Sequence, residues 1–318
     1  MRLKPGRPDL EPYRTRFGVP EPSDDSPVTV TFLGVSTLLI EAGESAMLTD
    51  GFFSRPGLLP VGIGRIAPDR RRIRACLDRL GVRQLVTVVP VHTHFDHVLD
   101  SAVVAELTGA TLVGGGSAAN VGRGHGLPEE RLTVVDDRDT LDLGAFTVTF
   151  VESEHCPPDR FPGGIEAPLR PPARAREYRC GEAWSLLVEH SASGRTMLVQ
   201  GSAGFRAGRL VGHSAAVAYL GVGQLGVQPE PYIRQYWSET VRAVGARRVV
   251  LIHWDDFFRP LDQPLRALPY ARPTPGTTWT SPCGCCQRWR LRTRSCCSCR
   301  PSGNEPTPGR GNRLRSRA

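Results

Sequence analysis

The stretch "VTVVPVHTHFDHVLD", residues 86–100, decides how this chain is organised. It leads from the apolar run "QLVTVVPV" (84–91) directly into an H-x-H-x-D-H string. A continuous apolar run of this length is typical of a strand covered on both faces, and loops at strand ends often carry function. Three of the eight histidines, His92, His94 and His97, lie within six positions. This concentration predicts a functional site directly after a buried strand.

The spacing within the string indicates metal binding. His92 and His94 alternate along an extended turn and share one side, whereas Asp96 and His97 begin the next segment and face another way. The pattern predicts two nitrogen ligands for one ion, and an oxygen with a nitrogen for a second. Imidazole with carboxylate suits zinc, with manganese or iron as rivals. The alternative is a solvated histidine-rich loop, against which the preceding strand and the aspartate argue.

Two more histidines end predicted strands. His155 closes "FTVTFVESEH", and His253 closes "RRVVLIH". A zinc site needs at least three protein ligands, and strand-end histidines from distant parts of the chain can supply them. Each of the two, taken alone, is equally well explained as a structural histidine. Together with the string, both are predicted to be ligands.

The remaining pattern indicates an α/β fold. Segments 28–34, 36–42 and 45–50 are short and aliphatic and are separated by few residues, which predicts an antiparallel meander. Segment 67–81 spaces its apolar residues at helical intervals and ends on a glycine that can cap the helix. Strands and helices then alternate, and a second similar set follows. A two-sheet sandwich with helices outside is the expected layout.

Composition limits the classes of function. The chain has 318 residues, of which 40% are hydrophobic, as in an ordinary globular protein. No apolar signal segment and no run of about 18 apolar residues is present, so we expect a cytoplasmic protein without a transmembrane helix. Residues 271–318 contain ten arginines and one acid, which leaves residues 1–270 with a net charge of −1 out of the total of +8. The body therefore lacks the basic surface that nucleic-acid binding requires.

The same C-terminal segment holds six of the nine cysteines. Their spacing does not suit a zinc site, because adjacent cysteines do not easily serve one tetrahedron, although zinc binding is the weaker alternative. The segment is rich in Arg, Pro, Ser and Gly without an apolar period, which predicts a disordered or out-of-frame tail. Three parts are therefore expected: an N-terminal extension over 1–26, one domain over 27–270, and the tail over 271–318.

Over residues 27–260 the chain resembles the metallo-β-lactamase-fold hydrolases. The resemblance is carried by "FLGVSTLLIE", "LTDGFFSRPG", "HTHFDH", the lone His155, "GSAGF" and "IHWDDF". It is greatest to the branch that holds ascorbate-6-phosphate lactonase and N-acyl-phosphatidylethanolamine phospholipase D. It implies a four-layer αββα sandwich, with Asp50 beneath the metal centre as the residue that orients ligands. The metal ligands that it implies are His92, His94, Asp96, His97, His155 and His253.

One position departs from the family pattern. The family usually has a Gly-Asp turn whose carboxylate bridges two metals, whereas Ser202 occupies that place here. A serine hydroxyl is an uncharged, weak ligand, so one tightly bound ion is expected and the second is in doubt. Asp255 and Asp256 are the nearest acids in sequence that could compensate, and surface ion pairing is the equal alternative. His213 is a candidate proton donor at the cleft.

The segment after His155 is a long loop. Residues 156–181 have no helical or strand period, and a loop of this length inside a domain is usually functional. We therefore expect a lid that shapes the substrate pocket, with a solvated excursion as the alternative. The candidate contacts for an anionic substrate are Arg170, Arg174, Arg176 and Arg179.

The ligands and the resemblance together imply a metal-dependent hydrolase. A metal lowers the pKa of its bound water to about 7, and the hydroxide can attack an ester, lactone or phosphodiester bond of a small molecule, including an anionic one. Asp96 would orient the hydroxide and pass its proton to the leaving group. The alternative is a metal-binding sensor or scaffold without turnover, which Ser202 favours. No feature indicates an oligomeric state.

Overall fold

Two β-sheets form the framework of the protein. The computed structural model describes residues 7–9, 11 and 26–269, together with two short strands beyond them. Seven strands make up the first sheet, in the spatial order β14 (Leu314–Arg317), β1 (Thr29–Phe32), β2 (Leu38–Ala42), β3 (Ser45–Thr49), β4 (Thr87–Val89), β5 (Thr111–Gly114) and β6 (Leu132–Val134). Seven more make up the second, in the order β13 (Cys296–Ser298), β12 (Arg248–Ile252), β11 (Val217–Gly221), β10 (Arg195–Gln200), β9 (Ala183–His190), β8 (Phe146–Ser153) and β7 (Thr140–Leu143).

Short helices connect these strands. The α-helices are α1 (Leu58–Ile63), α2 (Arg70–Leu80), α3 (Phe95–Val98), α4 (Ser101–Thr108), α5 (Gly116–His125) and α6 (Glu230–Trp237), the last continued by a π-helical turn at Ser238–Arg242. Single 3₁₀ turns occur at Glu129–Arg131, Ala175–Glu177 and Leu225–Val227. Among the residues that the structure describes, no helix has the length and apolar character needed to cross a bilayer.

The direction of the strands explains where loops meet. Strands β1, β2 and β3 form the predicted antiparallel meander, and β3 to β6 then run parallel to their neighbours. In the second sheet, β7 to β10 are antiparallel neighbours, whereas β10, β11 and β12 run parallel. Parallel strands end at the same edge of a sheet, so the loops after β3 and β4 lie together, as do those after β10, β11 and β12.

The core is arranged in four layers. Val30 and Ile40 of the first sheet share one buried apolar cluster with Phe150, Met197 and Ile252 of the second, so the two sheets pack face to face. The outer face of the first sheet packs against α2 and α4, and the outer face of the second packs against α6. The predicted αββα arrangement is therefore confirmed.

Helix α2 follows the sequence pattern closely. Asp69 caps its first turn by accepting hydrogen bonds from the backbone N–H groups of Arg71 and Arg72, each 3.1 Å long. Gly81 ends it with a φ of 72°, a left-handed conformation that glycine adopts without strain. The apolar residues predicted to face the core are buried: Ile73, Cys76, Leu77 and Leu80.

Helix α4 has no side-chain cap at its start. Asp100 precedes its first residue, but its side chain does not cap the helix. The Asp100 carboxylate instead accepts hydrogen bonds from the backbone N–H groups of Phe53 and Ser54 and from the Ser54 hydroxyl. The Asp100 carboxylate therefore accepts hydrogen bonds from the loop after β3 and not from the first turn of α4.

Both predicted extensions contact the domain at described residues. Arg7 donates hydrogen bonds to the carbonyl of Ala267 and to Asp256. Strands β14 and β13 of the tail pair with β1 and β12. A fully disordered tail would have no regular structure at these positions. Apart from these two strands, residues 270–318 lie outside the described part of the chain. The domain boundaries therefore stay a prediction.

Candidate metal centre

The candidate ligands gather where strands end. Asp50 follows β3, His92 follows β4 by three positions, and β3 and β4 are parallel neighbours. In the second sheet, β8 and β10 are both antiparallel to β9 and therefore share one direction. His155, Ser202 and His253 follow β8, β10 and β12 within two residues, and thus lie at a common edge. The topology brings residues more than 150 positions apart into one region.

Three histidines form the first group. One ring nitrogen from each of His92, His94 and His155 lies within 4.8 Å of the others. The ring centroids are 4.9 Å apart for His92 and His94, 4.6 Å for His94 and His155, and 5.1 Å for His92 and His155. His92 and His94 are buried, and His155 is half-buried. These are the three imidazoles expected to hold the first ion.

A second group lies beside the first. Asp96, His97 and His253 each place one ligand-type atom within 4.8 Å of the others. Asp96 Oδ2 is 3.5 Å from His253 Nε2 and 3.8 Å from His97 Nε2. The rings of His92 and His97 have centroids 3.8 Å apart, so the two groups are adjacent. The division of the string into two sets is thus present in the geometry, while metal ligation itself stays a prediction.

Asp50 lies beneath the second group. Its Oδ2 is 2.8 Å from His97 Nδ1, and the Ser36 hydroxyl donates to the same oxygen at 2.5 Å. Its Oδ1 accepts a hydrogen bond from the backbone N–H of Val91 at 2.9 Å. With Nδ1 occupied in this way, His97 directs Nε2 towards Asp96. The contact is the one expected of a carboxylate that orients a metal-binding histidine.

Burial sets the protonation of the groups. Burial holds the pKa of His92 well below its usual value, and neighbouring histidines lower it further. Burial, with His94 nearby, lowers the pKa of His155 to about 4. Burial would raise the pKa of Asp96, but His97 and His253 outweigh it and hold that pKa below its ordinary range. Neutral imidazole and ionised carboxylate are the forms that bind metals.

Unpartnered nitrogens test whether a cation fits. Both ring nitrogens of His92, Nε2 of His94, and the Nδ1 atoms of His155 and His253 are buried without a hydrogen-bond partner among the described residues. Buried polar atoms normally have partners, because an unsatisfied one costs free energy. A divalent ion would satisfy one ring nitrogen of each imidazole that binds it, and imidazoles with a carboxylate are a suitable donor set for one. The residues present therefore fit a metal.

Ser202, where the resemblance predicts a carboxylate, makes hydrogen bonds to the backbone and to neighbouring side chains. Its hydroxyl accepts a hydrogen bond of 2.9 Å from the backbone N–H of Cys156. Its carbonyl accepts from the hydroxyl of Tyr236 and from the side chain of Gln200. Ser202 thus anchors the chain directly after His155.

The two acids expected to compensate are engaged elsewhere. Asp255 Oδ2 forms a fully buried ion pair of 2.8 Å with Arg55 Nη2. Asp256 pairs with Arg7 at 2.8 Å and with Arg266 at 3.1 Å. Neither acid is part of the two groups, and both are paired with arginines. Replacement of the bridging carboxylate by one of them stays a prediction. His213 is half-buried and also lies outside both groups.

Sequence reasoning missed Asp159 and Cys180. Together with His94 they form a third set of ligand-type atoms within 4.8 Å, and Asp159 Oδ1 is 3.1 Å from His94 Nε2. Burial would raise the pKa of Asp159, but His94 and the backbone N–H of Phe161 hold it at about 2. The only signal in the sequence was an acid four residues beyond His155. No feature of the sequence pointed to Cys180, which lies 25 residues beyond His155.

Two cavities flank the loop over 156–181. One, of about 570 Å³, is lined by His155 and by the aromatic rings of Phe205 and Tyr232, with Arg206 and Arg209 as its cationic residues. The other, of about 410 Å³, is lined by loop residues that include two of the predicted anion contacts, Arg176 and Arg179. Arg170 and Arg174 are exposed and line neither cavity. The arginines that line the same cavity as His155 are thus outside the loop.

Fold and site together define a two-sheet α/β protein with histidines and carboxylates gathered at strand ends. No family model matches the chain. A UPF0173 metal-dependent hydrolase of Rhizobium leguminosarum bv. trifolii is 29% identical over 126 residues, which are 40% of this chain and 47% of that protein. The match thus spans about half the length of that relative.

Solved structures with similar chain tracing are more distant in sequence. A metallo hydrolase of the archaeon Ignicoccus hospitalis is 16% identical with a TM-score of 0.46, over 72% of this chain and 83% of that one. The metallo-β-lactamase-fold protein YhfI of Bacillus subtilis is 15% identical with a TM-score of 0.45, over 72% of this chain and 86% of that one. The fold described here therefore rests on the sheets and layers themselves.

Proposed function

We propose that this protein is a metal-dependent hydrolase. The observation that carries the proposal is the adjacency of two ligand groups, His92 with His94 and His155, and Asp96 with His97 and His253. A divalent ion bound there would activate water as a nucleophile and polarise the bond under attack. The similarity to a UPF0173 metal-dependent hydrolase supports the same activity.

The residues of the two ligand groups and Asp50 would have separate roles in the reaction. Histidines of the first group would hold one ion, and those of the second group would hold another with Asp96. Asp50 would keep His97 in place through the 2.8 Å contact with Nδ1. The Asp96 carboxylate, which remains ionised at neutral pH, would accept a proton at Oδ2 and return it to the leaving group. The cavity beside His155 would receive the substrate.

The proposed metal is zinc, with manganese or iron as rivals. We propose one tightly bound ion at the first group, because three imidazoles meet there. The second ion would bind more weakly, since Ser202 supplies no carboxylate and both Asp255 and Asp256 are paired with arginines. Manganese and iron prefer more oxygen ligands than the first group offers.

The proposed substrate is a small molecule with an ester, lactone or phosphodiester bond. The resemblance to ascorbate-6-phosphate lactonase and N-acyl-phosphatidylethanolamine phospholipase D supports this range. Arg206 and Arg209 beside His155 would suit an anionic group, and Phe205 with Tyr232 would suit an apolar one. We further propose that residues 27–270 form the catalytic domain and that the protein works in the cytoplasm.

A matched set of variants tests the activity. Chelator-treated protein would be reloaded with zinc, manganese or iron and assayed on lactone, ester and phosphodiester substrates, with metal content measured on the same samples. We expect His92→Ala to lose the first ion and all turnover, and Asp96→Asn to keep that ion but lose most turnover. His190→Asn, a change at the far end of β9, is the control and should behave like the unaltered protein.

The alternative is a metal-binding scaffold without turnover, which the absent carboxylate at Ser202 favours. Protein that binds metal stoichiometrically but hydrolyses none of these substrates would support the scaffold. Protein that retains no metal after reloading would contradict both proposals.

A further inference from the structure

His94 has contacts on two sides. It shares the first group with His92 and His155, and it shares a separate set with Asp159 and Cys180. The nitrogen that faces Asp159 is Nε2, at 3.1 Å from Oδ1, and both side chains are largely shielded, with 8% and 22% of their areas exposed. An imidazole has two ring nitrogens, so Nδ1 is the one left for the first group.

The same arrangement occurs at His97. There Nδ1 contacts the Asp50 carboxylate at 2.8 Å, and Nε2 faces the second group. In each case one ring nitrogen lies near a carboxylate: His97 Nδ1 is hydrogen-bonded to Asp50, and His94 Nε2 is 3.1 Å from Asp159 without the alignment of a hydrogen bond. Metal-binding histidines generally donate their second N–H to such an acceptor, which fixes the tautomer and the ring orientation. Asp159 is thus within reach of His94, as Asp50 is of His97.

The loop that carries Asp159 is tied to the H-x-H string. The backbone N–H of Thr93, between the two histidines, donates to the Cys180 carbonyl at 2.8 Å, and its hydroxyl donates to the Arg179 carbonyl at 2.5 Å. The backbone N–H of Phe161 donates to Asp159 Oδ1 at 2.9 Å. The loop is therefore anchored at Thr93, between His92 and His94, and this attachment holds the Asp159 carboxylate near His94.

We propose that Asp159 is a positioning residue that binds the Nε2–H group of His94 and so directs Nδ1 towards the metal. The proposal rests on the proposed metal-dependent function. Direct ligation by Asp159 is the competing arrangement, but an ion held by His92, His94 and His155 needs ligand atoms close to all three. Among the described residues, Asp159 is grouped with His94 and Cys180 only. It follows that His94 and His97 carry opposite tautomers.

The tautomers can be read directly in solution. Zinc-loaded protein labelled with ¹⁵N would be studied by long-range ¹H–¹⁵N NMR of its histidine rings, assigned with the single variants. We expect Nε2 of His94 and Nδ1 of His97 to carry the protons. Protonation of His94 at Nδ1 would overturn the proposal, because Nε2 would then be the ligand.

Metal affinity provides an independent measurement. In competition with a chromogenic chelator, Asp159→Ala should bind the first zinc about 10- to 100-fold more weakly. Asp159→Asn keeps an oxygen acceptor for Nε2–H, so it should retain the tautomer and lose less affinity. Glu166→Ala, an exposed change in the same loop, is the matched control and should bind as the unaltered protein does.

The outcomes separate this inference from the proposed function. Unaltered protein that binds no zinc would defeat the proposed function. Unaltered protein that binds zinc with the same affinity as Asp159→Ala would defeat only the role of Asp159. Cobalt-loaded protein offers a further readout, since a thiolate ligand produces a charge-transfer band. Such a band, lost in Cys180→Ser, would overturn the proposal by making the third set a binding site in its own right.

Discussion

Arg55 and Asp255, 200 positions apart, form a fully buried ion pair, with Nη2 of the arginine 2.8 Å from Oδ2 of the aspartate. The other carboxylate oxygen accepts a hydrogen bond from the Val35 backbone N–H, and the Val35 carbonyl accepts one from the backbone N–H of His253. Val35 and His253 both have positive φ angles, 53° and 58°, which cost free energy for residues other than glycine. The ion pair thus holds the strained backbone that carries His253.

We predict that Arg55→Met destabilises the protein strongly. Removing one partner leaves Asp255 buried without compensation, and such changes cost about 3–5 kcal/mol. The free energy of unfolding, measured in urea on metal-free protein, should fall by that amount. Arg70→Ala is the control, because the Arg70–Glu106 pair is exposed and should contribute less than about 1 kcal/mol.

The double variant Arg55→Met/Asp255→Leu separates the two parts of this effect. It removes the unpaired charge, so it should recover much of the stability, yet it also removes the acceptor for Val35. The affinity of the second ligand group for metal should therefore be lower in the double variant than in the unaltered protein. A single Arg55→Met variant as stable as the Arg70→Ala control would contradict the role assigned to the pair.

Buried histidines predict a loss of stability at mildly acidic pH. Burial lowers the pKa of His125 and of His155 to about 4, whereas unfolded histidine titrates near 6.5. Between these values the unfolded chain binds protons that the folded chain does not, so the free energy of unfolding decreases as pH falls. The slope is about 1.4 kcal/mol per pH unit for each histidine. Urea unfolding of chelator-treated protein at several pH values measures it.

Asp100 changes the free energy of unfolding in the opposite direction as pH falls. Burial raises its pKa to about 6, so the folded state binds a proton between that pH and about 3.8 and gains stability as pH falls. His125→Gln tests the balance, since His125 lies outside both ligand groups. Between pH 6.5 and 4, the free energy of unfolding of this variant should decrease less per pH unit than that of the unaltered protein. An identical slope would show that His125 is protonated in the folded state.

Ser202 provides a test of the second ion. We predict that Ser202→Asp increases occupancy at the second ligand group, because a carboxylate adds a charged oxygen ligand and relieves the repulsion between two cations. Ser202→Asn has nearly the same shape without the charge and is the matched control. Metal-to-protein ratios after dialysis against zinc distinguish the two. Equal occupancy in both variants would indicate that the side chain at 202 does not reach the metals.

The tail can be removed to test its contribution. Ending the chain after residue 270 deletes β13 and β14, which pair with β12 and β1 over three and four residues. Short edge strands bury little, so we predict a small decrease in melting temperature and an unchanged metal content. Thermal unfolding followed by circular dichroism, with metal analysis, is the measurement. A loss of metal on truncation would place a tail residue in the site.

Local patterns determined much of this protein. The apolar run before His92 predicted a buried strand, and the helical spacing of Ile73 and Leu77 predicted α2, because periodicity reports which face of an element is covered. The H-x-H-x-D-H spacing likewise predicted two ligand sets, since neighbouring residues on a turn have few directions to face. Such features depend on residues close together in the chain, and a sequence displays those directly.

Contacts between distant residues were decided only by the tertiary structure. Nothing local distinguishes Asp255, which pairs with Arg55, from Asp159, which faces His94. Both are acids in loops, and their partners lie 200 and 65 positions away. Which cation or imidazole meets each carboxylate depends on how the two sheets stack and where parallel strands end. The sequence alone thus identified the histidines that could hold metal. The packing of the sheets determined which carboxylates lie beside those histidines.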